Sequence, residues 1–196
     1  MSVDLGPVVG LAGGLVCLLA VIVIGWGLVA YNRLVRQRNQ VQASWAQIDV
    51  QLKRRYDLIP NLVETVRGYA AHERSTLDAV VAARNNAVAV AAHDPGVGGR
   101  AAAENVLTQT LGRLFALAEA YPDLKANQNF AALQGELANT EDKIAYARQF
   151  FNSAAQTYNT SVQSVPTNVV AGIGGFRVWE YFEADGGERG PVQVRF

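Results

Sequence analysis

The sequence predicts an all-α protein: an N-terminal transmembrane helix, then an antiparallel up-down four-helix bundle, then a short irregular C-terminal tail. Two observations support this fold class. Residues 5–31 contain no charged side chain. After residue 40, apolar residues recur at intervals of three and four, which is the period of a helix face. We therefore divide the chain into residues 1–31 (N-terminal tail and transmembrane helix), 32–171 (cytoplasmic bundle) and 172–196 (C-terminal tail).

The uncharged segment is predicted to be a retained transmembrane helix. At about 1.5 Å per helical residue it is longer than the roughly 30 Å hydrocarbon core requires. A cleaved signal peptide would begin with Lys or Arg and have a shorter apolar region, whereas the charged residue before this segment is Asp4. A buried core helix is the other alternative, and length and composition favour the membrane.

The charges flanking this segment predict its orientation. Arg33, Arg36 and Arg38 follow the segment, and no Lys or Arg precedes it. The positive-inside rule therefore predicts a single-pass protein with a cytoplasmic body and an external N-terminus. The same arginines can attract anionic lipid headgroups, although setting the topology is enough to explain them.

Small residues in the same segment suggest that membrane helices pack together. Gly6, Gly10 and Gly14 are spaced by four, and small residues at this interval let two helices approach closely. Self-association of the chain in the membrane is one interpretation. The alternative is that these glycines reflect only the ordinary frequency of glycine in membrane helices.

The body is predicted to contain four helices separated by breaker residues. Proline disfavours helix for the residue before it and suits the first turn of a new helix. We therefore expect a first helix to end near Tyr56 and a second to run from about Pro60 to Ala92. The third and fourth are predicted at about 100–121 and 127–164.

Up-down topology would bring two elbows together at the end of the bundle far from the membrane. These elbows are Arg54–Asn61 and Tyr121–Asn127. Charged and apolar side chains at a protruding corner suit a docking surface, although a solvated helix end is the simpler alternative. The predicted partner interface is Arg54, Arg55, Asp57, Asn61, Lys125 and Asn127.

Aromatic–asparagine pairs form a second pattern, with the asparagines at Asn32, Asn152 and Asn159. Asparagine beside a helix core can fix the register of packing, and contact with a ligand is the alternative. The aromatic residues of the C-terminal tail are predicted to pack against the bundle rather than enter the lipid headgroups. Residues 191–196 alternate weakly, as in a short strand.

The residues give little support for catalysis or a cofactor. The formal net charge is zero, which does not favour nucleic acid as a partner, and the single cysteine, Cys17, excludes a disulfide framework. Glu-x-x-His pairs of a di-iron bundle are absent, and Thr76 stands where a zinc protease would have its second histidine. We therefore expect no enzyme activity, no metal site and no cofactor.

The most distinctive stretch is QIDVQLKRRYDLIPNLVETVRGYAAHE, residues 47–73, followed by YPDLKAN at 121–127 and FAALQGE at 130–136. These motifs, with Tyr158-Asn159 and residues 166–176, resemble the LemA family. The resemblance implies a bacterial single-pass membrane protein with a cytoplasmic antiparallel helical bundle and without established enzymatic activity. Some family members are linked to magnetosome membranes, which implies a membrane-organising or scaffold task.

The combined prediction is a non-enzymatic, membrane-anchored helical protein that acts as an adaptor or scaffold. Its predicted partners are membrane lipid, one or more unidentified proteins and a second copy of the chain, but not nucleic acid. The alternative is a membrane-linked sensor that binds a small ligand between the bundle helices, in a pocket lined by Asn152 and Asn159.

Overall fold

A computed structural model describes residues 6–93 and 96–182, with only the backbone described for residues 6–12. The described residues form helices and no strand, which confirms the all-α prediction; the predicted strand at 191–196 lies outside them. The helices are α1 (Gly6–Arg67), α2 (Arg74–Ala92), α3 (Gly96–Ala118), α4 (Pro122–Lys125), α5 (Gln128–Gln163) and α6 (Thr167–Ile173).

The N-terminal part of α1 is long and apolar enough to cross a membrane. Its side chains point away from the protein: Leu15, Val21 and Val29 expose 59%, 67% and 65% of their surface. A soluble core helix would bury such side chains, so the core-helix alternative is not supported. Burial begins at Ala30 and Leu34, which expose 7% and 0%.

The predicted helix break at Pro60 is wrong, because α1 continues through it to Arg67. Proline has no N–H, so the carbonyl oxygen of Tyr56, four residues earlier, loses its helical donor. The side chain of Arg84 on α2 supplies a donor instead, with its Nε 3.3 Å from that oxygen. The ring of Pro60 is exposed, and packing beyond it buries Leu62 completely.

The other helix boundaries agree more closely with those predicted from the sequence. The first turn in the body lies at residues 68–73, after the predicted position, and α2 ends at Ala92 as expected. The long α5 differs by one residue at each end from the prediction of 127–164. The predicted third helix is displaced toward the N-terminus, and the short α4 and α6 were not predicted.

The chain forms two compact units. The described part of the first comprises residues 6–42 and 154–179. There Tyr31 meets the ring of Phe176 edge-on at 5.3 Å between centroids, and the guanidinium of Arg38 lies 5.4 Å from the same ring. Its core includes Leu34, Val41 and Tyr158.

The described part of the second unit comprises residues 43–93, 96–153 and 180–182. It contains the C-terminal part of α1, all of α2, α3 and α4, and most of α5. Its core is aliphatic with one fully buried phenylalanine, and its fully buried residues include Ile48, Leu52, Leu62, Val80, Leu107, Leu114, Leu124 and Phe151.

Candidate functional site

Arg55 is fully buried in the second unit and joins three helices. From α1, its Nη1 donates to Glu141 Oε1 on α5 at 2.6 Å and to Thr108 Oγ1 on α3 at 3.1 Å. Its Nη2 donates to the backbone carbonyl of Glu104 at 3.1 Å and lies 3.0 Å from Glu104 Oε2. We call Arg55, Tyr56, Glu104, Thr108 and Glu141 the Arg55 cluster. Arg55 therefore cannot belong to a partner surface, and that part of the prediction is wrong.

The carboxylate of Glu104 is the buried anion of this cluster, with 1% of the residue exposed. The hydroxyl of Tyr56 donates to it. Burial raises the pKa of Glu104 above its ordinary value, and the neighbouring Arg55 opposes that rise. Burial and the adjacent Glu104 also raise the pKa of Tyr56. The Arg55–Glu104 ion pair is therefore removed from water, and the attraction between the two charges together with their hydrogen bonds offsets the cost of desolvating them.

Two further arginines lie around the cluster and stack on aromatic rings. Arg100 Nη1 is 2.7 Å from Asp49 Oδ1, and its guanidinium lies 5.1 Å from the ring of Trp45. The guanidinium of Arg148 lies 4.4 Å from the ring of Phe182. Both arginines act electrostatically on Glu104, lowering its pKa. The surrounding positive charge thus offsets part of the penalty for burying a carboxylate.

Asn152 and Asn159 bind the backbone of the C-terminal segment rather than other helices. In the second unit, Asn152 Nδ2 donates to the Phe182 carbonyl at 3.1 Å, and the Phe182 N–H donates to Asn152 Oδ1 at 2.8 Å. In the first unit, Asn159 exchanges the same two bonds with Trp179, both at 2.8 Å. Because both side-chain amides already bond to this backbone, the structure does not support a ligand pocket lined by Asn152 and Asn159.

The spacing of the two asparagines matches that of their backbone partners. Seven helical residues advance about 10 Å, and three extended residues advance about as far. The third asparagine of the pattern, Asn32, is exposed, so its predicted core role is wrong.

The C-terminal aromatic residues divide by exposure. Phe176 and Phe182 are 7% and 2% exposed, whereas Tyr181 is 43% exposed. Phe182 packs beside Trp45, with the ring centroids 6.0 Å apart. The prediction that this segment packs on protein is therefore confirmed for the two phenylalanines.

The elbow predicted at Arg54–Asn61 does not exist, so these residues do not form a corner with residues 121–127. Asp57 and Asn61 are exposed along α1. Arg54 is also exposed, and its Nη2 pairs with Glu136 Oε2 at 2.5 Å.

Residues 119–127 instead meet the turn at 68–73. The Nδ2 of Asn127 donates to the Tyr69 hydroxyl at 2.9 Å, and Tyr121 donates to Glu73 Oε1 at 3.4 Å. Asn127 Oδ1 also accepts the N–H of Phe130 at 3.0 Å, which caps the start of α5. Lys125 is exposed and pairs with Glu119. We call residues 68–73 and 119–127 the distal corner.

The predicted lipid-facing and membrane-packing residues are only partly described. Arg33, Arg36 and Arg38 are exposed. A Cβ added at Gly14 would meet nothing within 4 Å, so this side of the helix is open. The surroundings of Gly6 and Gly10 lie outside the described side chains.

Sequence reasoning did not identify Glu104 or Glu141 as partners of Arg55. A signal was present for Glu104, because it lies between Arg100 and Leu107 at helical intervals on a face that also carries Leu111. A carboxylate within an apolar stripe indicates a buried charge that needs a cationic or hydrogen-bonding partner. Glu141 carried no such signal.

The sequence is similar to those of known proteins over most of its length. The family model described as LemA family matches residues 44–196. The chain is 30% identical over 178 residues to magnetosome protein MamQ 1 of Paramagnetospirillum magneticum, covering 80% of this chain and 65% of the relative. Magnetosome protein MamQ of Magnetospirillum gryphiswaldense is 30% identical over 177 residues, covering 79% and 65%.

A relative without the magnetosome name is also similar. Protein LemA of Metamycoplasma hominis is 26% identical over 140 residues, covering 71% of this chain and 63% of the relative. The matches thus span slightly less than two thirds of the relatives' own lengths. The family model covers most of the chain, including the Arg55 cluster, both tail-binding asparagines and the distal corner. The chain belongs to the LemA family.

Proposed function

We propose that this protein is a non-enzymatic adaptor or scaffold anchored in the bacterial cytoplasmic membrane. The observation that carries the proposal is the dual character of α1. Its N-terminal part exposes apolar side chains such as Val21, and the same helix carries the fully buried Arg55. One helix therefore serves as membrane anchor and as a structural element of the helical body.

The proposed orientation places the body in the cytoplasm. It is supported by Arg33, Arg36 and Arg38, which are exposed and follow the apolar segment directly. Cationic side chains at this position favour the cytoplasmic side, where they can contact anionic lipid headgroups.

We propose that α1, α2, α3 and α5 form an antiparallel four-helix bundle. Two contacts between α1 and α5 support this arrangement: Trp45 meets Phe151, and Arg55, ten residues later on α1, pairs with Glu141, ten residues earlier on α5. Residue numbers rise along one helix as they fall along the other, as two antiparallel helices require.

The distal corner, which includes Lys125 and Asn127, is the proposed surface for a protein partner. The corner combines the charge of Lys125 with the ring of Tyr69, which is 43% exposed. Tyrosine is enriched at protein–protein interfaces, and polar residues form their solvent-exposed rim. The names of the MamQ relatives place them in magnetosomes, and a comparable membrane-organising role for this chain belongs to the proposal.

Photocrosslinking in native membranes tests this surface. We expect a benzoylphenylalanine at Lys125 to give a protein adduct of defined mass on irradiation, because Lys125 lies on the proposed surface. The matched control is the same group at Val106, which is 49% exposed on α3 and lies outside the proposed surface. Adducts of the same masses and yields from both positions, or none from Lys125, would contradict the proposal.

A further inference from the structure

A groove lies between α3 and α5 beside the Arg55 cluster, with a volume of about 310 Å³. Its sides are Thr108, Leu111 and Phe115 on α3 and Gln134, Leu137 and Glu141 on α5. Leu111 and Leu137 are nearly buried, with 4% and 2% exposed, so they form the floor. We call this feature the α3–α5 groove.

The groove has a polar end and an apolar middle. At the polar end, Thr108 and Glu141 lie together because both accept from Arg55 Nη1, at 3.1 and 2.6 Å. On each helix the first and last lining residues are seven positions apart, from Thr108 to Phe115 and from Gln134 to Glu141. Seven helical residues correspond to two turns, or about 10 Å. The groove therefore has the length to receive two turns of another helix.

The charge at the polar end selects the occupant. Glu141 is the charged residue among those that line the groove, and its side chain is 37% exposed while Arg55 behind it is fully buried. The accessible charge is therefore negative, held in a fixed position by a buried cation, and complementary to a cationic side chain.

The middle of the groove is kept open by Gly112. A Cβ added there would meet nothing within 4 Å, although glycine inside a helix is less favourable than alanine by about 1 kcal/mol. A larger side chain can therefore occupy the groove without a clash with the fold. The position provides a way to block the groove separately from the Arg55 cluster.

We propose that the α3–α5 groove binds an amphipathic helix of a partner protein that carries Lys or Arg followed by bulky apolar residues three to four and seven positions later. The cation contacts Glu141, and the apolar side chains cover Leu111 and Leu137. This is helix-in-groove recognition, in which one face supplies the anchors. The inference rests on the adaptor role and adds a second surface, separate from the distal corner.

The test uses the full chain in nanodiscs of zwitterionic phosphatidylcholine, so that lipid charge does not attract the probe. The probe is a dye-labelled, alanine-based helical peptide with Arg, Leu and Leu at positions i, i+4 and i+7. A matched peptide has Glu in place of Arg. Fluorescence anisotropy is expected to give binding roughly tenfold or more tighter for the Arg peptide, because the Glu peptide places like charges together.

Variants of the chain locate the binding. Gly112→Leu should weaken the binding of the Arg peptide roughly tenfold or more, because the leucine side chain fills the groove. Gly135→Leu is the matched control, since a Cβ at this exposed position on α5 also meets nothing within 4 Å, and it should bind like the wild type. Glu141→Gln should remove the preference for Arg over Glu, and if that variant unfolds, Gly112→Leu still decides.

Three results would overturn the inference: no binding of the Arg peptide, equal binding of both peptides to the wild type, or equal binding of the Gly112→Leu and Gly135→Leu chains. If a partner is crosslinked at Lys125 but the α3–α5 groove does not bind the Arg peptide, this inference alone is overturned. If the groove binds the Arg peptide but no adduct forms at Lys125, only the proposed role of the distal corner is overturned.

Discussion

Arg55→Ala is expected to lower the free energy of unfolding by about 3–5 kcal/mol, because it leaves a buried carboxylate without its cation. Glu104 is almost inaccessible to water and is held by Arg55 and Tyr56. Truncating Arg55 also removes hydrogen bonds to Thr108 and Glu141. The loss can be measured by urea unfolding of the full chain in micelles, followed by tryptophan fluorescence.

The neighbouring arginine is the matched control. Arg54 and Glu136 form an ion pair whose side chains are 47% and 48% exposed, and such a surface pair contributes about 1 kcal/mol or less. Arg54→Ala should therefore have a small effect in the same assay. Equal losses for the two variants would show that the Arg55 cluster is not a buried ion pair. Replacing Arg55 and Glu104 together by methionine should cost less than removing Arg55 alone.

Phe182→Ala is expected to cost about 3 kcal/mol or more, because the ring is 2% exposed and packs against Trp45 and Arg148. The adjacent Tyr181 is 43% exposed, and Tyr181→Ala should change stability by less than about 1 kcal/mol. The same unfolding assay compares the two variants. If the pair unfolded at the same urea concentration, the C-terminal segment would not be part of the core.

Hydrophobic periodicity and breaker residues predicted the bounds of α5 and the end of α2, and the absence of charge in residues 5–31 predicted the apolar part of α1. Of the apolar residues spaced at helical intervals from Val41 to Leu52, Val41, Ile48 and Leu52 are fully buried and Trp45 is half-buried. The continuation of α1 through Pro60 was not predictable from local rules, because a distant side chain, Arg84, satisfies the carbonyl that proline leaves without a donor. Tertiary packing of α1 overrides the local preference of proline.

The candidate site was less predictable than the fold. Arg55 and Arg54 are adjacent and chemically identical, yet one is buried and the other exposed. The predicted elbow placed both arginines on the surface, whereas the continuous helix α1 buries Arg55 and exposes Arg54. The asparagine pattern was recognised, but its partners are backbone groups about 20 to 30 residues away, in a segment without regular structure. Periodicity carries no information about such contacts.

The central claim is that the apolar part of α1 lies in lipid while the same helix continues into a water-exposed body. Cys17, the single cysteine, lies in the apolar part, so its reactivity in native membrane vesicles tests the claim directly. With maleimide-polyethylene glycol, Cys17 should remain unmodified until detergent denatures the protein. Asp57→Cys in a Cys17→Ser chain should react at once in vesicles that expose the cytoplasmic face. Modification of Cys17 in intact vesicles as fast as Asp57→Cys would contradict the account.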